Sequence, residues 1–171
     1  IEADAQVAAI RAALAVRVEP LWPGGVLHVP VLTPTPALVA ALCAARATGQ
    51  LCRGLDAAET ALAAERKGLA LAARRAGAAH GARVSRLLVC ARDGAERFYR
   101  QVEHLLREHA PRVLCVVVDL DSVALGEALF GPGATAKLVM AEHKDAVAGI
   151  LYALAGVTPA ARTPGSRSGA S

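Results

Sequence analysis

Between Val84 and Ala155 the chain alternates three times between a short apolar run and a segment of helical periodicity. Arg86-Leu87-Leu88-Val89-Cys90-Ala91 reads as a strand, residues 95–109 as a helix, and residues 113–118 as a second strand. Residues 122–130 read as a helix capped by Asp121 or Ser122, residues 137–141 as a third strand, and residues 144–155 as a closing helix. Strands this apolar leave no face for water, so helices must cover both sides of their sheet. The rhythm predicts an α/β fold, specifically a three-layer α/β/α sandwich.

The first half is organised differently. Residues 3–16 carry Val7, Ile10 and Leu14 at spacings of three and four, the pattern of an amphipathic, alanine-rich helix. Pro20, Pro23, Gly24 and Gly25 end it. Val26-Leu27-His28-Val29-Pro30-Val31-Leu32 reads as an extended segment, and Pro30, lacking an N–H, assigns it to a sheet edge or to the surface. A turn over residues 33–36 leads into a helix over residues 37–47, stopped at Thr48-Gly49, where Gly49 takes the left-handed conformation. The next helix starts near Asp56 and runs past Gly68 towards Ala76, with a break over residues 77–81. Residues 157–171 are rich in Pro, Ser, Gly and Ala, carry Arg162 and Arg167, and lack the apolar content of a core. The expected organisation is an N-terminal extension over residues 1–36 (helix plus edge segment), one domain over residues 37–156, and a low-complexity basic tail over residues 157–171.

At 171 residues the chain has room for one domain of ordinary size. Its 54% hydrophobic content rests largely on alanine, and charges interrupt every stretch before the roughly 18 apolar residues of a membrane span. A soluble protein without a membrane partner is expected. Nineteen Lys and Arg against 15 Asp and Glu give a net charge of +4, and the cations are mostly arginine, which suits bidentate phosphate contacts. Cys43, Cys52, Cys90 and Cys115 are widely spaced without a zinc pattern, which reads as small core residues in a reducing compartment. The first residue is Ile1, and the acids Glu2 and Asp4 do not fit a retained transit peptide, so a mature N-terminus after cleavage is expected.

The stretch Ala47-Thr48-Gly49-Gln50-Leu51-Cys52-Arg53-Gly54-Leu55-Asp56 opens a basic, glycine-punctuated turn directly into a helix. Free N–H groups at a helix start, with the positive end of the dipole, attract phosphate or the electronegative edge of a base. Asp56 is placed to cap that helix, and Arg46, Arg53, Arg66, Lys67, Arg74 and Arg75 are placed to meet phosphates. Other chemistry is weaker. His104 and His109 stand five apart and do not form the His-Glu-x-x-His metal pattern. Gly131-Pro132-Gly133-Ala134-Thr135-Ala136-Lys137 lacks the Gly-Lys-Ser/Thr of a nucleotide loop and precedes a strand. Asp119, Asp121, Glu142 and Asp145 read as caps and solubilising charge, and neither Ser85 nor Ser122 has a nucleophile-elbow setting. The few aromatics argue against a stacking platform for single-stranded RNA. No cofactor pattern emerges.

Gly54-Leu55-Asp56-Ala57-Ala58-Glu59-Thr60-Ala61-Leu62 resembles the Gly-x-Asn-Glu-x-x-Lys-Ala-Leu signature of the L-seven-Ae and L-thirty-e superfamily of kink-turn RNA-binding ribosomal proteins. Gly49-Gln50-Leu51-Cys52-Arg53 is similar to its lead-in, and Leu88-Val89-Cys90-Ala91-Arg92-Asp93 to its Leu-Val-x-Ala-x-Asp strand. Asp121-Ser122-Val123-Ala124-Leu125-Gly126-Glu127-Ala128 is close to its Ser-x-x-x-Leu-Gly-x-Ala helix. The resemblance spans residues 48–155. It implies an α/β/α sandwich that binds structured RNA through one helix mouth and one loop. Carried over, the RNA-binding positions are Gly54, Leu55, Asp56, Ala57 and Thr60 on the helix and the loop over residues 131–137, with Gly133, Ala134, Thr135 and Lys137; Arg46, Gln50 and Arg53, before the helix, complete the expected RNA-binding set. Asp56, Ala57 and Thr60 stand where the family has Asn, Glu and Lys, and each lost polar contact costs about 1–3 kcal/mol. A divergent member with weakened kink-turn recognition is therefore expected.

The expected role is a non-catalytic structural component of a ribosome or related ribonucleoprotein, with ribosomal RNA and neighbouring proteins as partners. The alanine-arginine bias, the N-terminal extension and the altered signature point to a mitochondrial ribosome and the mitochondrial matrix, with cytoplasm or nucleolus as alternatives. Two rival readings use the same fold. One is a protein-docking module that has lost RNA binding. The other is the substrate-binding domain of a SpoU-type RNA methyltransferase, whose separate knotted catalytic domain has no room in this chain.

Overall fold

The computed structural model describes residues 2–76 and 84–157. In chain order these form α1 (Glu2–Ala15), β1 (Val18–Pro20), β2 (His28–Leu32), α2 (Pro36–Ala47), β3 (Leu51–Arg53), α3 (Leu55–Ala76), β4 (Arg86–Cys90), α4 (Glu96–Glu108), β5 (Val113–Val118), α5 (Ser122–Phe130), β6 (Leu138–Ala141) and α6 (Lys144–Ala155). Residue 1, the 77–81 break and the tail beyond Val157 lie outside the described residues.

The strands form one six-stranded sheet in the order β1-β2-β5-β4-β6-β3. Strand β5 is parallel to both β2 and β4, whereas β6 runs antiparallel to β4 and β3, and β1 antiparallel to β2. Successive side chains alternate between the two faces. Leu87 and Val89 of β4, Val116 and Val118 of β5, and Val139 and Ala141 of β6 pack with Leu38 and Leu42 of α2, Leu125 and Leu129 of α5, and Val147 and Ile150 of α6. Leu88, Cys90, Cys115, Val117, Leu138 and Met140 enter the opposite layer with Ala58 and Leu62 of α3 and Val102, Leu105 and Leu106 of α4. All of these side chains are buried. The result is the α/β/α sandwich that the apolar rhythm predicts.

Local chemistry sets the helix ends. Thr35 precedes Pro36, whose fixed φ suits a first helical turn, and the Thr35 hydroxyl accepts the Leu38 N–H at 3.2 Å. Gly49 has φ +71° just after α2, as its position in the sequence suggests. Asp121 rather than Ser122 caps α5, accepting the Ala124 N–H at 2.7 Å. Ser122 instead donates its hydroxyl to Asp93 at 2.9 Å, and Asp93 also accepts the Ser122 N–H at 2.8 Å. That pair ties the end of β4 to the start of α5.

Three expectations need correction. The extended segment around Pro30 is not a sheet edge, because β1 lies outside it. Pro30 is tolerated because the strand changes partner there: His28, Val29 and Pro30 pair with β1, while only Val31 and Leu32 pair with β5. The Val31 N–H donates to Arg17 on the β1 side, so the missing Pro30 N–H falls on the side where no ladder has yet begun. Asp56 does not cap α3: the helix already begins at Leu55, and the Ala58 N–H donates to Gly54. Finally, the basic turn before α3 contains a strand, β3 (Leu51–Arg53), and β1 and β3, of three residues each, are too short to show a periodicity of their own.

The β1–β2 connection is fastened to α4 by a buried acid. Glu103 is 6% exposed, and its carboxylate accepts the N–H groups of Val26 and Leu27, both at 3.1 Å. Trp22, in the same connection, lies under the Arg100 guanidinium at 4.6 Å.

Candidate nucleic-acid interface

Strand β3 sits at the sheet margin beside β6 and hands the chain directly to α3. The turn between them is made by Gly54, at φ +94°, a conformation that side chains other than glycine rarely adopt. Its N–H donates to Leu138 of β6 at 2.9 Å, fixing the helix start to the sheet. Since the first helical bond runs from Ala58 to Gly54, the N–H groups of Leu55, Asp56 and Ala57 face out of the helix mouth.

The loop from Gly131 to Lys137 stands opposite this mouth. Its shape comes from Gly131 and Gly133, both at positive φ, and from two anchoring bonds. Ala136 N–H donates to Ser122 and Ala91 N–H donates to the carbonyl of Lys137, both at 2.8 Å. The loop backbone at Ala134 and Thr135 lies directly on Gly126 of α5, where a β-carbon would come within 2.4 Å of Ala134 O and Thr135 Cα. The Leu-Gly pair of the α5 motif thus has a steric reason: only glycine lets the loop approach.

Mouth and loop enclose a cleft of about 460 Å³, lined by Arg53, Gly54, Leu55, Asp56, Ala57, Thr135, Ala136 and Lys137, with Phe98 and Gln101 from α4. The structure therefore brings together most of the residues singled out in the sequence. Arg46, in the last turn of α2, lies outside the cleft lining, its guanidinium carbon 5.4 Å from the centre of the Phe130 ring. Arg53 lies over that ring at 4.8 Å and donates to the Thr135 carbonyl. Gln50 stands apart, bonding through its backbone to Ala45 and Glu142 at the α2–α6 groove. Thr60 is one turn inside α3, its hydroxyl donating to the Asp56 carbonyl at 2.9 Å. Gly133 and Ala134 shape the loop without lining the cleft. Phe98 and Gln101 were not legible as site residues, since both come from a helix distant in sequence, and the contacts of Phe130 with Arg46 and Arg53 exist only in the folded chain.

Charge at the cleft is asymmetric. Arg17, Arg66, Arg86, Arg92, Arg100 and Arg112 all pair with carboxylates. Among the described residues, no carboxylate pairs with Arg46, Arg53 or Lys137. Arg66, expected to meet phosphate, is instead bound to Glu108 at 3.3 Å. The side chains of Arg74 and Arg75 lie outside the described residues. The acids at the mouth are Asp56 and Glu59, both exposed.

Cys52, on β3 beside the mouth, sits where its thiolate is disfavoured. Burial first, then the charge of and hydrogen bond with Glu142, push its thiol up to about 11. At pH 8 about one thiol in a thousand is then ionised, against roughly one in ten for an ordinary thiol. Alkylation of Cys52 in the native protein is expected to be about 100-fold slower than in the denatured chain, as read by iodoacetamide labelling and peptide mass spectrometry. The same preference for the protonated thiol means that its stabilising effect is present below pH 9 and lost as the pH rises towards 11. Equal labelling rates in the two states would contradict this environment.

The fold and the cleft define an α/β/α sandwich with a basic helix-mouth cleft at one margin of its sheet. No protein-family model matches the chain, and neither does any curated protein. Among solved structures it is similar to the Giardia lamblia 15.5kD RNA binding protein, at 18% sequence identity and a TM-score of 0.45, over 70% of this chain and 82% of that one.

Proposed function

We propose that this chain is a non-catalytic RNA-binding protein that takes structured RNA at the cleft between the α3 mouth and the loop over residues 131–137. One observation carries the reading: three outward N–H groups and two cations, Arg53 and Lys137, which have no carboxylate partner among the described residues, meet at one cleft, and Arg46 shares the Phe130 ring with Arg53 just outside it. The order of motifs along the chain, resembling that of the L-seven-Ae superfamily, supports the same surface. With Ala57 a methyl group and the Thr60 hydroxyl already bonded to backbone, α3 offers little beyond its N–H groups. Binding then rests on phosphate contacts, with Gln101 the side chain best placed to meet a base edge. Such binding positions an RNA without reading much of its sequence, which suits a fixed component of a ribonucleoprotein. The finer reading is a mitochondrial ribosomal protein with ribosomal RNA and neighbouring proteins as partners.

The test is ultraviolet crosslinking of the native protein in its cells, followed by sequencing of the bound RNA, beside an Arg53→Ala/Lys137→Ala double variant. A discrete ribosomal RNA footprint that falls about tenfold or more in the double variant is expected, each lost phosphate contact also weakening the salt dependence. A footprint that survives intact would move the contact away from this cleft. Asp56 favours a second reading, because its exposed carboxylate at the helix mouth repels phosphate. If no RNA is recovered, that reading, a protein-docking module on the same fold, replaces the first.

A further inference from the structure

We propose that Phe130 is the positioning residue that assembles Arg46 and Arg53 into one phosphate-binding pair, an inference that rests on the RNA-binding reading of the cleft. The two arginines come from different elements, Arg46 from the last turn of α2 and Arg53 from β3, and both are exposed. Two guanidinium cations gathered at one ring repel each other, and six other arginines of this protein are each held by an acid. At this spot the holding groups are uncharged. The Phe130 ring, half-buried at the end of α5 against the core, lies 5.4 Å from the Arg46 guanidinium carbon and 4.8 Å from that of Arg53. The Thr135 carbonyl accepts a second edge of Arg53, and the C-terminal end of α2 favours the positive charge of Arg46.

An aromatic face attracts a cation without neutralising it. A carboxylate in the same place would orient the arginines equally well and cancel their charge. The ring therefore leaves two oriented, planar donor groups with their full charge, of which Arg53 lines the cleft at the outward N–H groups of α3. That arrangement suits the paired oxygens of a phosphodiester, which a guanidinium takes in bidentate fashion and an ammonium does not. The ligand class is an RNA backbone phosphate, and the contact is indifferent to base identity.

The measurement is fluorescence anisotropy of the full chain with a fluorescein-labelled hairpin RNA carrying a kink-turn, titrated at several KCl concentrations. Phe130→Leu keeps an apolar side chain in the core and removes the ring. It is expected to weaken binding about tenfold and to lower the slope of log affinity against log salt by 1 to 2, the signature of lost phosphate contacts. Phe130→Trp, which restores an aromatic face, is expected to recover both quantities. Native affinity and slope in Phe130→Leu would overturn the proposal. Should Phe130→Leu unfold, Arg53→Lys decides instead: it leaves the ring in place and keeps the charge, and is expected to lose affinity, whereas native binding would overturn the paired-guanidinium geometry. Absence of any binding by the native chain at low salt would overturn the RNA reading itself and this inference with it, an outcome distinct from native binding that Phe130 does not affect.

Discussion

Replacing Gly126 by alanine is expected to lower the stability of the fold by about 3 kcal/mol and its melting temperature by on the order of 10 °C. The added β-carbon would stand 2.4 Å from Ala134 O and Thr135 Cα and 2.6 Å from Ala134 C. These are backbone atoms, so no rotamer change relieves the clash, and the loop over residues 131–137 must lift off α5. The Ala136 bond to Ser122 and the Arg53 bond to Thr135 go with it, so the loop side of the cleft should lose its shape as stability falls. Gly149→Ala provides the contrast within the same molecule. Gly149 is exposed on α6 and a β-carbon there meets nothing within 4 Å, so alanine should stabilise the helix by up to about 1 kcal/mol. Thermal unfolding followed by circular dichroism reads both signs. A Gly126→Ala protein that melts with the native one would mean that loop and helix are not in the contact described.

The second large effect is expected at Glu103. Alanine there leaves the Val26 and Leu27 N–H groups without an acceptor under a side chain that is 6% exposed, at a cost of about 2–4 kcal/mol. Both bonds end on the same carboxylate oxygen, so Glu103→Gln retains an acceptor in place and should lose less. Trp22 is the only tryptophan in the chain and belongs to the fastened segment, so its fluorescence reports the release directly. The expected order of stability is native, then Gln, then Ala, with amide exchange at Val26 and Leu27 fastest in the alanine variant. An alanine variant with native exchange rates at those two amides would show that the carboxylate does not fasten the segment.

Much of this architecture was legible in the sequence because it is encoded locally. The runs Arg86–Cys90 and Val113–Val118 are apolar on both faces and announce buried strands without help from the rest of the chain. Thr35-Pro36 and Asp121 mark helix starts through their own chemistry. Strands β1 and β3 were not legible, since three residues carry no period and are extended only because β2 and β6 pair with them. Pro30 was misplaced for a related reason: its missing donor excludes one ladder position, not the strand's place in the sheet order. At the cleft, Arg53, Gly54 and the loop over residues 131–137 were readable as a turn, a helix start and a glycine-rich segment. Phe130 was not, because its contact with Arg53 joins residues 77 positions apart and nothing in either neighbourhood announces the other. The Asp56 cap failed because the left-handed Gly54 turn takes the cap position, two residues earlier.

The sheet order also governs how this protein behaves towards copies of itself. An edge strand with a long row of unpaired N–H and C=O groups is a template for fibril growth, and short edges deny it. Here both margins are three-residue strands, β1 and β3. β1 ends on Pro20, which has no N–H to offer, and β3 ends in the Gly54 turn. An incoming chain finds too few sites in a row to extend the sheet, so the long apolar strands β4, β5 and β6 remain enclosed. Lengthening β1 by a few alternating residues should be enough to make the protein assemble into ordered aggregates, as read by thioflavin T fluorescence.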